Sequence, residues 1–195
     1  MFKTSMMTNL KIAVSGAAVM GHCSPDAIKK AREVGREIAR LKCVTITGAT
    51  TGVPYYSALG AKELKGYSVG FSPATSERAH LKSYRLPVDA FDVIIYTGAD
   101  YVGRNVIMTK SADGVIIICG RMGTLHEFAT AFEIEKPIAV LEGTGGTADR
   151  IRYIMAGPSR GLKREVIFDK DPKRLVKRLV KIISKSKENI GKIHK

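Results

Sequence analysis

The segment DGVIIICGRMGTLHEFATAFEIE, residues 113–135, joins a continuous apolar run to a segment of helical character through a turn that contains glycine. A strand that is apolar at nearly every position is covered on both faces, as in a parallel sheet. The segment therefore predicts a strand at 113–120 and a helix at 123–135 in a parallel α/β protein. It also raises the question of whether the turn, CGRMGTLHE (119–127), is only a connection or holds a ligand.

The same alternation of apolar runs and longer amphipathic segments continues along the chain. We predict further strands at 11–16, 43–48, 67–73, 91–98, 136–143 and 164–169, and further helices at 24–42, 52–66, about 104–112, 147–157 and from 172 onward. Ser24 and Asp171 are suitable N-caps for the first and last helices. Alternation of this kind indicates an α/β fold: a single-domain, doubly wound, Rossmann-like sheet, mainly parallel, of about seven strands. The domain is predicted at 11–184, with flexible termini at 1–10 and 185–195.

Composition excludes several classes of protein. Hydrophobic residues make up 45% of the 195 and charged residues 26%, which is ordinary for a globular protein. Neither a membrane-spanning run nor a secretory leader is apparent, so we expect a cytoplasmic protein without membrane contact. Three widely spaced cysteines (Cys23, Cys43 and Cys119) predict reduced thiols. The four histidines show no ligand spacing, so no metal site is expected.

Positive charge is concentrated at the C-terminus. Residues 160–195 hold 13 Lys and Arg against 4 Asp and Glu, which is +9 of the net +14. Leu175, Leu179, Ile182 and Ile183 form one apolar face of the last predicted helix, opposite the basic residues. We expect this helix to pack on the sheet and to expose its basic face to water. Contact with nucleic acid is the less favoured alternative.

The loops after the predicted strands carry the chemistry, because open α/β sheets bind ligands at the carboxyl ends of their strands. Those loops read SGAAVMGHCS (15–24), TGATTGVP (47–54), TGADYVGRN (97–105), GRMGT (120–124) and EGTGGTAD (142–149). Glycine allows backbone N–H groups to approach a ligand, and a following helix N-terminus favours an anion. The loops predict a nucleotide or another phosphorylated small molecule as ligand. Neither G-x-G-x-x-G after the first strand nor G-x-x-x-x-G-K-[ST] is present. The loop at 142–149 could close over the ligand or only turn the chain.

The region RNVIMTKSADGVIIICGRMGTLHEFATAF (104–132) resembles the signature of the LONELY GUY (LOG) family, formerly labelled possible lysine decarboxylases. That signature is R-K-x-x-M, a strand, and then P-G-G-x-G-T-x-x-E, and Arg104 precedes Glu127 by the family's interval. The resemblance implies a Rossmann-like fold, similar also to molybdenum-cofactor carrier proteins and to the DNA-processing protein A domain. It further implies a homodimer or higher oligomer without a cofactor, which hydrolyses the N-glycosidic bond of a nucleoside 5′-monophosphate to release ribose 5-phosphate.

Carried over position by position, the resemblance assigns Arg104 and Glu127 to catalysis. The phosphate- and nucleotide-binding residues are then predicted to be Ser15, Gly16, Gly48, Gly52, Gly120, Arg121, Gly123 and Thr124. Glu127 would stabilise positive charge on the ribose or take a proton from water. The simpler alternatives are a capping box formed by Thr124 and Glu127, and a surface position for Arg104.

The loop TGATTGVP (47–54) departs from the family's G-G-G-x-x-G-L-M loop. The P-G-G-x-G-T-x-x-E element is altered at two positions. Cys119 replaces its proline, and Arg121 replaces its second glycine. Arg121 could add a phosphate contact or obstruct the pocket. These departures keep a second hypothesis open, namely a carrier or binding protein for a nucleotide or for the molybdenum cofactor that performs no chemistry.

Overall fold

The computed structural model describes residues 9–156 and 166–193. Its strands are β1 Lys11–Gly16, β2 Val44–Thr47, β3 Ser68–Ser72, β4 Val93–Tyr96, β5 Gly114–Ile118, β6 Ile138–Leu141 and β7 Val166–Asp169. Its helices are α1 Ala27–Arg40, α2 Val53–Glu63, α3 Glu77–Lys82, α4 Asp100–Ser111, α5 Met122–Glu133, α6 Ile151–Met155 and α7 Pro172–Ile193, with a 3₁₀ turn at Ala148–Arg150 before α6. Flexible termini were predicted at 1–10 and 185–195, and of these residues 1–8 and 194–195 lie outside the described part of the chain. Helix α7 continues through Ile193.

All seven strands form one parallel sheet in the order β4-β3-β2-β1-β5-β6-β7. The predicted fold class is thereby confirmed. The chain adds strands outward from β1 to β4, and then returns to add β5 on the other side of β1. In that pairing Ser15 lies opposite Ile117 and Gly16 opposite Ile118. The reversal places the topological switch point of the sheet between the carboxyl ends of β1 and β5.

The two faces of the sheet bury separate hydrophobic clusters, because side chains alternate along each strand. On β5, Ile116 and Ile118 belong to the cluster that includes residues of α1 and α7. Val115 and Ile117 face the other way, into the cluster that contains residues of α4 and α5. Full burial of each such side chain contributes about 1.5–3 kcal/mol to folding. The continuous apolar run at 114–118 follows from helices covering both faces.

Several helix starts differ from the prediction. Helix α1 begins at Ala27 after Asp26, and the Ser24 hydroxyl donates to the Asp26 carboxylate at 2.7 Å instead of capping a backbone N–H group. Helix α4 begins at Asp100, four residues before the predicted start. Helix α3 was not predicted, because its six residues lie in a polar stretch and are too few to show a helical period.

Helix α7 packs on the sheet as predicted. The Asp171 carboxylate accepts the Arg174 N–H at 2.7 Å, which confirms the predicted cap. Leu175, Leu179 and Ile183 are buried, while Ile182 is half-buried.

Part of the basic face of α7 is paired within the fold rather than free. Lys173 and Lys177 lie 3.7 Å from Glu33 and Glu37 of α1, respectively. Arg174 and Arg178 contact Asp169 at the end of β7, at 2.6 Å and 3.2 Å. Among the described residues, no helix is both long enough and apolar enough to cross a membrane.

Candidate functional site

A cavity of about 320 Å³ opens at the carboxyl ends of β1 and β5, at the switch point of the sheet. Its volume is at the lower end of the range typical of small-molecule sites, about 300–1,000 Å³. Of the residues predicted from the sequence, its wall contains Ser15, Gly16, Gly48, Arg104, Arg121, Gly123, Thr124 and Glu127. Gly52 and Gly120 do not line this cavity. Gly52 precedes α2, and Gly120 lines a shallower depression beside the cavity.

Glu127 is buried in the cavity wall, with 6% of its surface exposed. Helix α5 begins at Met122, so Thr124 is its third residue and Glu127 its sixth. The capping-box alternative is therefore wrong, since the N-cap position is Arg121 and no side chain caps the helix there. The Glu127 Oε2 atom accepts a short hydrogen bond from the Ser15 hydroxyl at the end of β1. The last residues of β1 thus hold a carboxylate that projects from α5.

Arg104 lies beside this carboxylate and is also buried, which makes the surface alternative wrong. Its Nη1 atom is 3.8 Å from Glu127 Oε1, an electrostatic contact that is too long for a hydrogen bond. Nη1 also faces the weak acceptor Met108 Sδ at 3.9 Å, and Nε has no partner among the described residues. Arg104 is therefore a buried cation with donors left unused.

Two neighbours on α4 complete the surroundings of this pair. With its amide oriented to satisfy its surroundings, Asn105 donates to Glu127 Oε1 and to the Tyr101 carbonyl, each at 3.0 Å. The Tyr101 ring centre is 5.8 Å from Arg104 Cζ, within reach of a cation–π contact. Both residues line the cavity, yet sequence reasoning did not single them out. The sequence did offer a signal for Asn105, because this polar residue directly follows Arg104 in the loop TGADYVGRN (97–105).

Burial shifts both ionisable groups toward their neutral forms. It raises the pKa of Glu127, although the Arg104 charge and the Ser15 hydrogen bond act in the opposite direction. It lowers the pKa of Arg104, against the favourable charge of Glu127. Neither charge is fully compensated by the other. An anionic ligand next to Arg104 would relieve this imbalance, and a carboxyl group with a raised pKa is better suited to proton exchange than an exposed carboxylate.

The cavity glycines have different roles. A Cβ atom on Gly48 would lie 1.6 Å from Arg104 Nη1, so this glycine makes room for the arginine rather than for a ligand. A Cβ on Gly16 would meet the Ile118 carbonyl at 2.4 Å, which makes Gly16 a packing residue between strands. Among the glycines that line the cavity, Gly123 alone is a position where an added Cβ would meet nothing within 4 Å. Gly123 is accordingly the predicted glycine that leaves open space beside the cavity.

The N-terminus of α5 supplies donors at this edge. The backbone N–H groups of Gly123 and Thr124 have no hydrogen-bond partner in the described parts of the chain, as expected for the first turn of a helix. Arg121 precedes them at the rim, where its Nε atom donates to His22 Nδ1 at 3.2 Å and its carbonyl accepts from the Thr147 hydroxyl at 3.0 Å. Arg121 is exposed and lies at the rim, so it leaves the cavity open.

Cys23 and Cys119 form a disulfide, with their Cα atoms 5.7 Å apart and a sequence separation of 96. The prediction of reduced thiols is wrong for these two cysteines and right for Cys43, which is free and buried. The bond forms because the loop after β1 and the end of β5 meet at the switch point. Cys23 is additionally bridged to Gly145 by backbone pairing.

The glycine loop after β6 supports the β5–α5 loop from behind. Cys119 N–H donates to the Thr144 hydroxyl at 2.9 Å, and Thr147 N–H donates to the Gly120 carbonyl at 3.0 Å. A Cβ on Gly146 would lie 2.3 Å from the Gly120 carbonyl oxygen. The loop at 142–149 was predicted either to close over the ligand or to turn the chain. Its hydrogen bonds to residues 119 and 120 support the second alternative.

The parallel sheet and the cavity at its switch point define a Rossmann-like protein of the kind that binds nucleotides or related cofactors. The chain belongs to the SLOG cluster4 family, whose profile matches residues 9–176. It is 33% identical to an uncharacterized protein of Archaeoglobus fulgidus over 136 residues. The aligned region covers 70% of this chain and 82% of that protein.

Two solved structures with similar folds are molybdenum-cofactor proteins. The chain resembles the molybdenum cofactor binding protein of Rippkaea orientalis with a TM-score of 0.72 and 27% identity, over 91% of this chain and 99% of that one. It resembles the molybdenum cofactor carrier protein of Chlamydomonas reinhardtii with a TM-score of 0.71 and 25% identity, at the same coverage of 91% and 99%. The predicted similarity to such carriers is confirmed. Membership of the LOG family in particular stays a prediction, as does its enzymatic activity.

Proposed function

We propose that the cavity binds a phosphorylated small molecule with a planar heterocycle, either a nucleoside 5′-monophosphate or a pterin cofactor that carries a phosphate. The observation that carries this proposal is Arg104, a buried cation in the cavity wall whose Nε atom has no partner among the described residues and whose nearest carboxylate oxygen is 3.8 Å away. A phosphate oxygen would give this guanidinium the short, charge-assisted contacts that it lacks.

The other donors of the cavity suit the same ligand. The unpaired N–H groups of Gly123 and Thr124 lie at the N-terminus of α5, where the helix dipole favours an anion. Arg121 adds a flexible cation at the rim. Elsewhere the wall includes Tyr101, Pro54 and other apolar surface against which a flat ring can pack.

Similarity to molybdenum-cofactor proteins makes a pterin a specific candidate. A pterin with a terminal phosphate presents the same two recognition features as a nucleotide, so the residues that fit one also fit the other. Arg104, Thr124 and the α5 N-terminus would hold its phosphate. Bound in this way, the cofactor would be stored or transferred rather than used in catalysis.

Ligand-dependent stabilisation tests the binding proposal. We expect AMP, GMP or a phosphorylated pterin to raise the unfolding free energy by about 2.7 kcal/mol when the ligand is at one hundred times its Kd. Arg104→Ala should abolish the effect, whereas Lys110→Ala, which removes an exposed cation from the same helix, should retain it. The proposal fails if none of these ligands stabilises the protein, or if both variants respond alike.

Hydrolysis of the N-glycosidic bond is a second candidate function. The observation that favours it is the buried carboxylate of Glu127 in the cavity wall. The carboxylate lines the ligand cavity, is oriented by Ser15 and Asn105, and has a pKa raised by burial. Its charge would stabilise the oxocarbenium-like transition state of a ribose.

In the proposed reaction, Glu127 takes a proton from a water molecule whose oxygen forms the new bond to C1′ of the ribose. The bond between C1′ and the base nitrogen breaks, and the base leaves with the electron pair and takes up a proton. The products are the free base and ribose 5-phosphate. Arg104 would hold the phosphate and keep Glu127 in position.

Product analysis distinguishes the enzyme from the carrier. If the second function is correct, the wild-type protein releases base and ribose 5-phosphate from a bound monophosphate, and Glu127→Gln loses turnover but still binds. Glu133→Gln, which alters an exposed glutamate on the same helix, should leave turnover intact. Stabilisation by a monophosphate without any product would instead support the binding function alone.

A further inference from the structure

A cluster of three side chains with metal-ligating atoms lies at the rim of the cavity. His22, Cys23 and Cys119 each offer one ligand atom, and these atoms all lie within 4.8 Å of one another. Cys119 is buried, whereas His22 and Cys23 are half-buried and therefore accessible from solvent. No other group of this kind was found among the described residues. The sequence concealed the cluster, because residues 22–23 and 119 are brought together only by the switch point.

We propose that reduction of the Cys23–Cys119 bond converts this cluster into a binding site for one thiophilic divalent cation, such as Zn²⁺. The proposal is independent of the phosphorylated ligand discussed above. A dithiol reductant supplies two electrons and two protons and is itself oxidised to a disulfide, which leaves two thiols at Cys23 and Cys119. The cation then displaces one proton from each thiol and is bound by two thiolates and one imidazole nitrogen.

The spacing suits a tetrahedral ion. Zn–S bonds of about 2.3 Å and Zn–N bonds of about 2.0 Å place neighbouring ligand atoms of a tetrahedral site about 3.3–3.8 Å apart. The two sulfurs must separate from bonding distance, and the ligand atoms already lie within 4.8 Å of one another. Side-chain rotation after reduction can supply movements of this size, and the Cα separation of 5.7 Å can remain as it is.

The hydrogen bonds of His22 fix one tautomer, which leaves one ring nitrogen able to bind a metal. Its Nε2 atom is 3.2 Å from the Gly120 carbonyl, which can only accept, so Nε2 carries the proton. The lone pair is then on Nδ1, where it accepts from Arg121 Nε at 3.2 Å. Metal-binding histidines commonly donate their second N–H group to such a carbonyl, which fixes the tautomer and the ring. Because Arg121 is exposed, it can move aside and release Nδ1 to the ion.

Three protein ligands leave one coordination position for water or for an atom of a bound molecule, which is the pattern of a reactive rather than a purely structural zinc site. His22 and Arg121 line both the cavity and the depression beside it. An ion held by His22 would consequently displace the Arg121 side chain from its present contact. Occupancy of the cluster would then change the charge at the rim of the ligand cavity.

Cobalt titration of the reduced protein provides the test. The full chain is reduced with a phosphine and freed of reductant without oxygen. An aliquot is unfolded, alkylated and checked by mass spectrometry for three free thiols, and the remainder is checked by circular dichroism for retained structure. We expect one equivalent of Co²⁺ to give a sulfur-to-cobalt charge-transfer band and tetrahedral d–d bands, which Zn²⁺ then removes. The oxidised protein should give neither.

Variants identify the ligands. Cys23→Ser and Cys119→Ser should lose the charge-transfer intensity of one thiolate and bind Zn²⁺ far more weakly. His22→Ala should weaken binding at least about tenfold, because even loss of a second-sphere partner costs about 10–100-fold. Cys43→Ser and His126→Ala are matched controls that should bind as the wild type does. All are compared in the reduced state, so that loss of the disulfide is common to every sample.

Three results would overturn the proposal. The first is a folded, fully reduced wild-type protein that binds neither Co²⁺ nor Zn²⁺. The second is binding that survives unchanged in Cys119→Ser. The third is a disulfide that is reduced only when the protein unfolds, which would make the bond a structural link and nothing more.

Discussion

Gly48→Ala is a small substitution with a specific target, because the three atoms nearest to the new Cβ would all belong to Arg104. They are Nη1 at 1.6 Å, Cζ at 2.5 Å and Nη2 at 2.9 Å. The backbone at Gly48 is outside the left-handed region, so alanine itself causes no strain there. The whole effect should therefore come from displacement of the buried guanidinium.

The expected loss of unfolding free energy depends on the cost of leaving Glu127 without Arg104 beside it. Breaking a buried ion pair by removal of one partner costs about 3–5 kcal/mol. The pair here is separated by 3.8 Å, and Glu127 can take up a proton when Arg104 moves away. We therefore expect Gly48→Ala to lower the free energy of unfolding by up to about 3 kcal/mol. It should also weaken binding of a phosphorylated ligand as strongly as Arg104→Ala does.

A double-mutant cycle in urea isolates the steric cause. In the Arg104→Ala background the obstructing atoms are absent, so Gly48→Ala should cost less than about 0.5 kcal/mol, which leaves a coupling energy of about 1–3 kcal/mol. Gly21→Ala is the control, since an added Cβ there meets nothing within 4 Å. Equal costs of Gly48→Ala in both backgrounds would refute the reasoning.

Other variants test the carboxylate, the free thiol and the cap of α7. Burial raises the pKa of Glu127 above its ordinary 4.5, so the wild-type protein loses stability as pH rises from that value through the pKa of the folded state. Glu127→Gln should therefore gain stability relative to the wild type as pH rises above 4.5, and a pH-independent difference would contradict this. Burial, with a smaller contribution from the Asp113 charge, raises the pKa of Cys43 to about 11, so iodoacetamide should label this thiol only after unfolding, as peptide mass spectrometry can check. Asp171→Ala removes the cap at 2.7 Å from Arg174 N and should cost about 1 kcal/mol in thermal unfolding, while Asp171→Asn should cost much less.

The sheet could be predicted because its signal is local. Strands β4, β5 and β6 are apolar at almost every position, and each is followed within two residues by glycine and then by a helix. Strand identity and parallel direction therefore follow from the sequence. Residues 114–118 are all buried, as their composition predicts. The edge of the sheet that carries the site also follows, because all parallel strands end at the same edge.

The contacts within the site depend on which loops meet, and a strand pattern does not reveal this. Strand order decides that residue 23 lies next to residue 119, so neither the disulfide nor the His22 cluster could be recognised from spacing. The contact between Gly48 and Arg104 could not be foreseen for a similar reason, since a glycine beside a ligand and a glycine beside an arginine look alike in sequence. The start of α5 was predicted within one residue, at 123 instead of Met122, whereas T-x-x-E suggested a capping box that the helix does not have.

The replacement of the signature's proline by Cys119 changes the backbone as well as the side chain. Cys119 has a φ of 51°, whereas proline is confined to about −65°, so this loop follows a path that the family's proline cannot adopt. Cys119 N–H, which proline lacks, also donates to Thr144. The sequence interval between Arg104 and Glu127 matches the signature, while the loop that precedes α5 differs from it. The proposed hydrolysis would depend on Glu127, and the proposed metal binding would depend on Cys119 and His22. Because Glu127 lines the cavity and Cys119 does not, Glu127→Gln and Cys119→Ser test the proposed turnover and the proposed metal binding separately.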